Sequence, residues 1–370
     1  MDFTLSEEQQ ELQGLAKQIL GDRMVLTHLR ELDNSEDWFD RDTWAELAKA
    51  NLLGMGLPED IGGLGYGFLE LCLLLKEQGR TVAPMPLIHT LVSVALPIAE
   101  FGTPEQRKEL AGVINGDVVL TAALSELGTA MDEPQTIAER SGDGWRITGE
   151  KVNVPSAHIA AGILVPARVG EDIGLFLVSP DADGITLDRQ ETMNHEPQFV
   201  LKLNGVEVSD AARIGEISDG RENLRWILDR TLTGLCAITA GATAEALRIT
   251  AEYTTTRKQF DRAIGTFQAV GQRMADSYID NEAINLTMLQ AATHLAQGQA
   301  SPTEVMTAKY WAAEGGSRVV HAALHVHGGI SIDLDYPIHR YFLWVKQAEF
   351  TLGAATPSLR DLGRMIAASA

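Results

Sequence analysis

At 370 residues the chain exceeds what one compact core organises, so two or three domains are expected, and its 45% hydrophobic content is ample for globular folding. The 51 Asp and Glu against 30 Lys and Arg give a net charge of −21, which repels a phosphodiester backbone; with no basic patch to offset it, nucleic acid is not expected as a partner. Cys72 and Cys236 stand far apart in apolar surroundings and read as buried thiols suited to a reducing cytoplasm, not as a disulfide or a metal pair.

The opening MDFTLSEEQQ has neither the basic nor the apolar region of a secretion signal, and the longest apolar stretch, Leu71 to Leu75, is far too short to span a bilayer. A soluble, intracellular chain with no membrane partner is expected. From residue 1 to about 117 the apolar residues recur at helical spacing, as at Leu12, Leu15 and Ile19, and Ser6 with Gln9 offers a capping box at the entry. GLPEDIGGLGYG (56–67) interrupts this helical region as a Gly/Pro loop. Between about 118 and 215 come short β-rich runs, VVLTAAL, WRITGEKVNV, GILVPARV, GLFLVSP and FVLKLNGVEV. Turn signals separate them at Gly142, Asp143 and Gly144 and at Asn204 and Gly205, so a small all-β domain is expected. From about 219 four long helices fit, over 221–255, 266–297, 302–327 and 337–367. The third has a marked start, with Ser301 as N-cap, Pro302 at the first helical position and Glu304 three residues after the cap. In the second, Phe267, Val270, Met274 and Tyr278 line one face, which reads as bundle core.

Four stretches give this order of elements a closer meaning: LLGMGLPEDIGGLGYG (52–67) with EQGRTVAP (77–84), ALSELGTAMD (123–132), TTTRKQFDRAIGTFQAVGQRMAD (254–276), and HVHGGISIDLDYPIHRYF (325–342). Through them the chain resembles the acyl-CoA dehydrogenase family across nearly its whole length. The resemblance implies an α+β fold: an N-terminal α-helical domain (1–117), a middle β-barrel-like domain (118–218) and a C-terminal four-helix bundle (219–370). It also implies a tetramer with FAD at its subunit interfaces. In the family, the positions of Arg257, Phe260, Phe267 and Gln268 reach the ADP half of a neighbouring subunit's FAD. The chemistry suits that role, since Arg257 is a planar, always-charged donor for a diphosphate, Phe260 or Phe267 offers apolar surface, and Gln268 can pair with ribose or adenine edges. His325, Gly328 and Gly329 would let backbone approach the same dinucleotide. The bland alternative is that Arg257 pairs with an acidic neighbour and the glycines end a helix. A metal at His325 and His327 is not expected, because i,i+2 spacing on a helix points the rings apart.

The chemistry of the family needs a buried carboxylate to remove the α-proton of the acyl-CoA. Counted from Arg257 without a gap, its usual Glu-Gly-Thr segment falls on Leu352, Gly353 and Ala354, and the less common base position falls on Thr231. Neither residue is a base, and Asp229 and Glu349 lie at other angles of their helices. Where the family carries a serine for acyl-CoA on the β-domain, within Ser125 to Asp132, this chain has Met131. The aromatic-Ile-Thr run that covers the flavin is replaced by Asn153, Val154 and Pro155, and Pro155 has neither hydroxyl nor N–H. Leu352 and Met131 suggest a vacated cleft filled with apolar side chains.

The chain therefore looks like the flavin-poor, base-lacking subunit of a heteromeric (α2β2) bacterial acyl-CoA dehydrogenase of steroid side-chain degradation. Its partner would be a homologous subunit that supplies the catalytic glutamate and most flavin contacts. Two alternatives stand beside this expectation: a self-sufficient homotetramer using Asp229, Glu349 or another carboxylate, and a non-enzymatic structural relative that binds neither FAD nor CoA. A DNA-binding relative is disfavoured by the acidity.

Overall fold

The computed structural model describes residues 3–369. Helices come first: α1 (Glu7–Arg23), α2 (Leu26–Asp33), α3 (Arg41–Lys49), α4 (Phe68–Thr81), a π-helical segment (Ile88–Ala95) continued by α5 (Leu96–Phe101), then α6 (Pro104–Glu109) and α7 (Ala111–Ile114). Seven strands follow: β1 (Leu120–Ala122), β2 (Ile137–Ser141), β3 (Gly144–Pro155), β4 (Gly162–Val169), β5 (Asp172–Val178), β6 (Ile185–Gln190) and β7 (Gln198–Ser209). They form one sheet in the order β1-β4-β2-β3-β7-β6, with β5 paired to β4. The rest is helical but for a two-stranded hairpin: α8 (Gly220–Thr256), β8 (Lys258–Gln259), β9 (Arg262–Ala263), α9 (Gln268–Ala296), α10 (Pro302–His327), α11 (Ile338–Phe350) and α12 (Ala355–Ser369). Helices, sheet and helices thus succeed one another as expected. Among the described residues no helix is long and apolar enough to cross a membrane.

The chain divides into two compact units. One runs up to Arg30 and takes in Phe68–Ala83 and everything from Leu232 on; the other comprises Glu31–Gly67 and Pro84–Thr231. In the first, the capping box at α1 forms, with Ser6 Oγ accepting from Gln9 N at 3.2 Å and Gln9 Oε1 from Ser6 N at 2.9 Å. Helices α4 and α8 touch backbone to backbone. A Cβ at Gly79 would lie 1.9 Å from the Ile238 carbonyl oxygen, and one at Gly241 1.8 Å from that of Lys76, so glycine is required at both. Cys72 and Cys236 are buried and are not joined in a disulfide.

Helix α10 starts as expected, with Ser301 at the N-cap and Pro302 at the first position, although the Ser301 hydroxyl donates to the Gln299 carbonyl and Glu304 takes the Thr303 hydroxyl. Two expectations in this unit need correction. The single helix expected over 337–367 breaks between α11 and α12. The cause lies on another helix: the ammonium of Lys309, from α10, donates to the carbonyls of Ala348 (2.7 Å), Glu349 (3.3 Å) and Thr351 (2.9 Å). These acceptors are satisfied without a further turn of helix, and Leu352 and Gly353 turn the chain at φ 54° and 99°. The face of α9 read as bundle core is only half-buried at Val270 and Met274, and Tyr278 is 57% exposed.

The second unit holds the sheet, whose core includes Trp145, Ile147, Val165, Phe176, Phe199 and Leu201. The turn at Gly142 joins β2 and β3 as expected. Asn204 and Gly205 make no turn: they lie inside β7, where pairing steps from Ile147↔Val206 to Thr148↔Asn204 and Gly205, at φ 67°, is the extra residue of a bulge. Strands β2 and β6 are additional to the runs read from the sequence.

Candidate functional site

The dinucleotide-type residues gather at one end of the first unit. Arg257 follows α8 directly, and its side chain is exposed with no hydrogen bond or ion pair among the described residues. The alternative in which it merely pairs with an acidic neighbour of its own chain is therefore removed. The next residues form a tight hairpin whose corner is Phe260 and Asp261, at φ 52° and 63°. Two successive left-handed residues close a two-residue turn, and here they hold the Phe260 ring 89% exposed. Phe260 meets Phe267 edge-on at 6.2 Å, and the guanidinium of Arg262 lies 3.9 Å over the Phe267 ring. Gln268, the first residue of α9, is exposed.

The end of α10 joins this cluster through aromatic packing. Tyr253 stacks on His327 at 4.4 Å, and the buried His327 ring is engaged at Nδ1 by the Ala323 carbonyl (2.8 Å) and at Nε2 by the Tyr336 hydroxyl (3.1 Å). Burial pushes the His327 pKa down. Both nitrogens being engaged, His327 is a core histidine, and among the described residues no group of three or more His, Cys, Asp or Glu could hold a metal. His325 is exposed and accepts from the Arg273 guanidinium. Gly328 has φ 64° and ψ −138°, a conformation open essentially to glycine, and a Cβ at Gly328 or Gly329 would meet nothing within 4 Å. Among the described residues nothing requires a glycine at Gly329. A free guanidinium, an exposed aromatic ring and bare backbone fit the ADP half of a dinucleotide approaching from outside the chain.

The second unit carries the segments where the ring end of a flavin would be met. Ser125 bridges Val152, and the loop after Ser125 returns at Thr136. Lys151, 1% exposed, donates to Glu126 at 2.6 Å and to the Pro166 carbonyl at 2.7 Å, while Glu126 accepts from the backbone of Gln135 (2.6 Å) and Thr136 (3.0 Å). Burial pushes the Lys151 amine down to about 8 against the pull of Glu126. Burial works to raise the Glu126 carboxyl, but Lys151 and the Thr136 N–H outweigh it and hold it low. Asn153 sits in a bulge of β3 at φ 54°, its N–H held by Gln190 at 3.1 Å. Pro155 is buried and its carbonyl accepts from Thr121 at 2.6 Å. Pro155 has neither N–H nor hydroxyl and Met131 has no hydroxyl to offer, so the fit found at the ADP end is not repeated here.

Neither base position holds a carboxylate. Thr231 is 4% exposed, and its hydroxyl lies 3.1 Å from that of Ser93 on the π-helical segment. Leu352 is half-buried in the break between α11 and α12. Of the nearby acids, Glu349 is bound by Lys346 at 2.5 Å. Asp229 is half-buried, and burial pushes its carboxyl up to about 6 despite Arg225 and Arg230. Sequence reasoning overlooked Lys309, whose only signal was a cation amid the small and aromatic residues of TAKYWAA, and the Glu126–Lys151 pair, which no local pattern announces.

Comparison with known proteins gives the family of the chain. The N-terminal domain of the acyl-CoA dehydrogenase family matches residues 6–117 and its C-terminal domain residues 218–366. The acyl-CoA dehydrogenase FadE27 of Mycobacterium tuberculosis is 40% identical over 376 residues, covering 99% of both chains. Among solved structures, the Tcur3481-Tcur3483 steroid ACAD G363A variant superposes with a TM-score of 0.93 at 47% identity, and the ChsE4-ChsE5 complex from Mycobacterium tuberculosis with 0.94 at 40%; each match covers 99% of both chains. Butyryl-CoA dehydrogenase from Megasphaera elsdenii, 23% identical with a TM-score of 0.90, shares the fold. The chain belongs to the acyl-CoA dehydrogenase family, whose members are FAD-dependent oxidoreductases.

Proposed function

We propose that this chain is the base-lacking subunit of a heteromeric, α2β2 acyl-CoA dehydrogenase acting in the cytoplasm on the CoA thioester of a steroid side chain, with domains over 1–117, 118–218 and 219–370. The observation that carries the proposal is the pair of base positions: Leu352 and Thr231 cannot take a proton, and the Thr231 hydroxyl is spent on Ser93. The homologous partner subunit supplies the carboxylate. The two solved structures above, a steroid ACAD and a complex of two chains, support the substrate class and the unlike partner.

When bound, FAD accepts the hydride that leaves the β-carbon of the acyl group. This chain's own part is binding. Arg257 places its fork against the diphosphate, Phe260 and Phe267 shield it from water, Gln268 meets ribose or adenine edges, and His325, Gly328 and Gly329 let backbone close on the same ADP group of the partner's FAD. The test is bound flavin per protomer, from visible absorbance, on the chain alone and co-expressed with its partner. Almost none alone and one per pair of unlike chains is expected; one per chain alone overturns the heteromer.

A second reading has one observation in its favour. Asp229, raised to about 6 by burial, has the ionisation of a usable base, as a self-sufficient homotetramer would require. Asp229→Asn then abolishes turnover, whereas in the heteromer it leaves turnover intact.

A further inference from the structure

The hairpin after α8 carries a second free guanidinium. Arg262 of β9 lies directly across from Gln259 of β8, and Arg257 stands two rungs on, its carbonyl accepting from Ile264 N at 2.9 Å. The alternation of a strand therefore puts Arg257, Gln259 and Arg262 on one face of the hairpin and Lys258 on the other, with the two arginines about 7 Å apart along it. Arg262 is exposed and makes no hydrogen bond or ion pair among the described residues; its guanidinium lies 3.9 Å over the Phe267 ring. That ring is a fixed support. Phe267 N donates to the Ile264 carbonyl at 3.1 Å, the Thr266 hydroxyl to the Ala263 carbonyl at 2.6 Å, and Phe260 closes one edge of the ring. A guanidinium propped on one side offers its other side as a flat, cationic surface.

The two arginines differ in their neighbours. Lys258 follows Arg257 and adds to its charge, whereas Asp261 precedes Arg262 and offsets it. A diphosphate suits the first, and an uncharged ring suits the second. We propose that Arg262, propped on Phe267, is the platform on which the adenine of the partner's FAD stacks. The inference rests on the reading that this end of the chain meets the ADP half of that FAD. A purine base is planar and neutral and stacks on a guanidinium plane as it does on an aromatic ring. Phe267, Arg262 and adenine then form three layers, Gln268 keeps the base edges, and the ribose spans the distance from Arg262 to the diphosphate at Arg257.

The test titrates FAD, and separately FMN, into the flavin-stripped complex of this chain co-expressed with its partner, with bound flavin read by absorbance after gel filtration. FMN has no adenine. Arg262→Ala should raise the FAD concentration for half-saturation about tenfold, the loss of one base stack, and leave FMN where it stands in the natural complex. Arg262→Lys keeps the charge but not the plane, so it should lose FAD to the same extent. Because Arg262 is exposed and forms no hydrogen bond within the chain, both variants should fold. Natural FAD binding in Arg262→Ala, its recovery in Arg262→Lys, or an equal loss of FMN each overturns the platform. Arg257→Gln in the same assay separates the two levels of the argument. If it weakens FAD while Arg262→Ala does not, the platform alone falls; if it leaves FAD unchanged, the ADP-half reading falls and takes the platform with it.

Discussion

The residues around Arg257 and those between Ser125 and Pro155 have opposite characters. The first set is exposed and unspent: Arg257 has no partner among the described residues, Phe260 projects from a strained turn, and Gly328 and Gly329 present bare backbone. The second set has its buried charges paired, with Lys151 on Glu126 and Pro166, Glu126 on two backbone amides, and Thr121 on Pro155. Unspent polar groups on a surface imply a ligand from outside; satisfied ones in a core imply a scaffold. A subunit that has surrendered the chemistry and retained the holding of a cofactor should show this contrast.

The contrast is broken most directly at Arg257. A charge-assisted bond to phosphate is worth about 1.5–3 kcal/mol, and reversing the charge adds repulsion, so Arg257→Glu should weaken flavin binding by the co-expressed complex about a hundredfold or more. Flavin retained after gel filtration, read by absorbance, checks this. Full retention with full activity would mean that the free guanidinium serves something else.

On the scaffold side the corresponding residue is Lys309. It is 1% exposed, has no carboxylate within its hydrogen bonds and caps three carbonyls, and Lys309→Met leaves those acceptors dry at a cost of about 2–3 kcal/mol, seen as a lower midpoint in urea with flavin affinity of the folded complex unchanged. The pH dependence has a definite sign. Burial holds the folded amine at about 8 against 10.5 in the unfolded chain, so above pH 8 the folded state loses its proton first. The cost of burying the charge is fully present below pH 8 and fades as pH rises toward 10.5, so the stability of the natural chain relative to Lys309→Met should grow by about 1.4 kcal/mol per pH unit across that window. A gap that stays level between pH 8 and 10 would show the amine to be charged throughout.

What was legible in the sequence was local. Ser6 and Gln9 cap α1 because the partners are three residues apart, and the runs at 145–154 and 199–208 alternate strongly enough to read as strands. Strand β2 was missed because burial falls on a single residue, Ala138, and β6 because it pairs on one side only and buries none. The break after α11 is set by Lys309, about forty positions away, and no window around Leu352 contains its cause. The candidate cofactor residues were named from motif resemblance, but that Arg257 has no partner among the described residues and Thr231 is spent on Ser93 depends on which helices meet, which only the fold decides.

The smallest expected effect is also the sharpest test of the contrast. Leu352→Glu places a carboxylate at the position where an ungapped count from Arg257 sets the family's usual one, on a turn whose backbone Lys309 already holds in shape. If a missing base were the only defect, the variant would add a second working site, and turnover per pair of chains would double along with its flavin content. The ring-side segments argue otherwise, since Pro155 still has no N–H to give and Met131 no hydroxyl, and a base aimed at an unheld flavin abstracts nothing. Flavin content and turnover of the Leu352→Glu complex should both stay at the level of the natural complex. A rise in turnover at constant flavin would show the glutamate reaching the partner's substrate, and the division of labour between the two chains would have to be redrawn around residue 352.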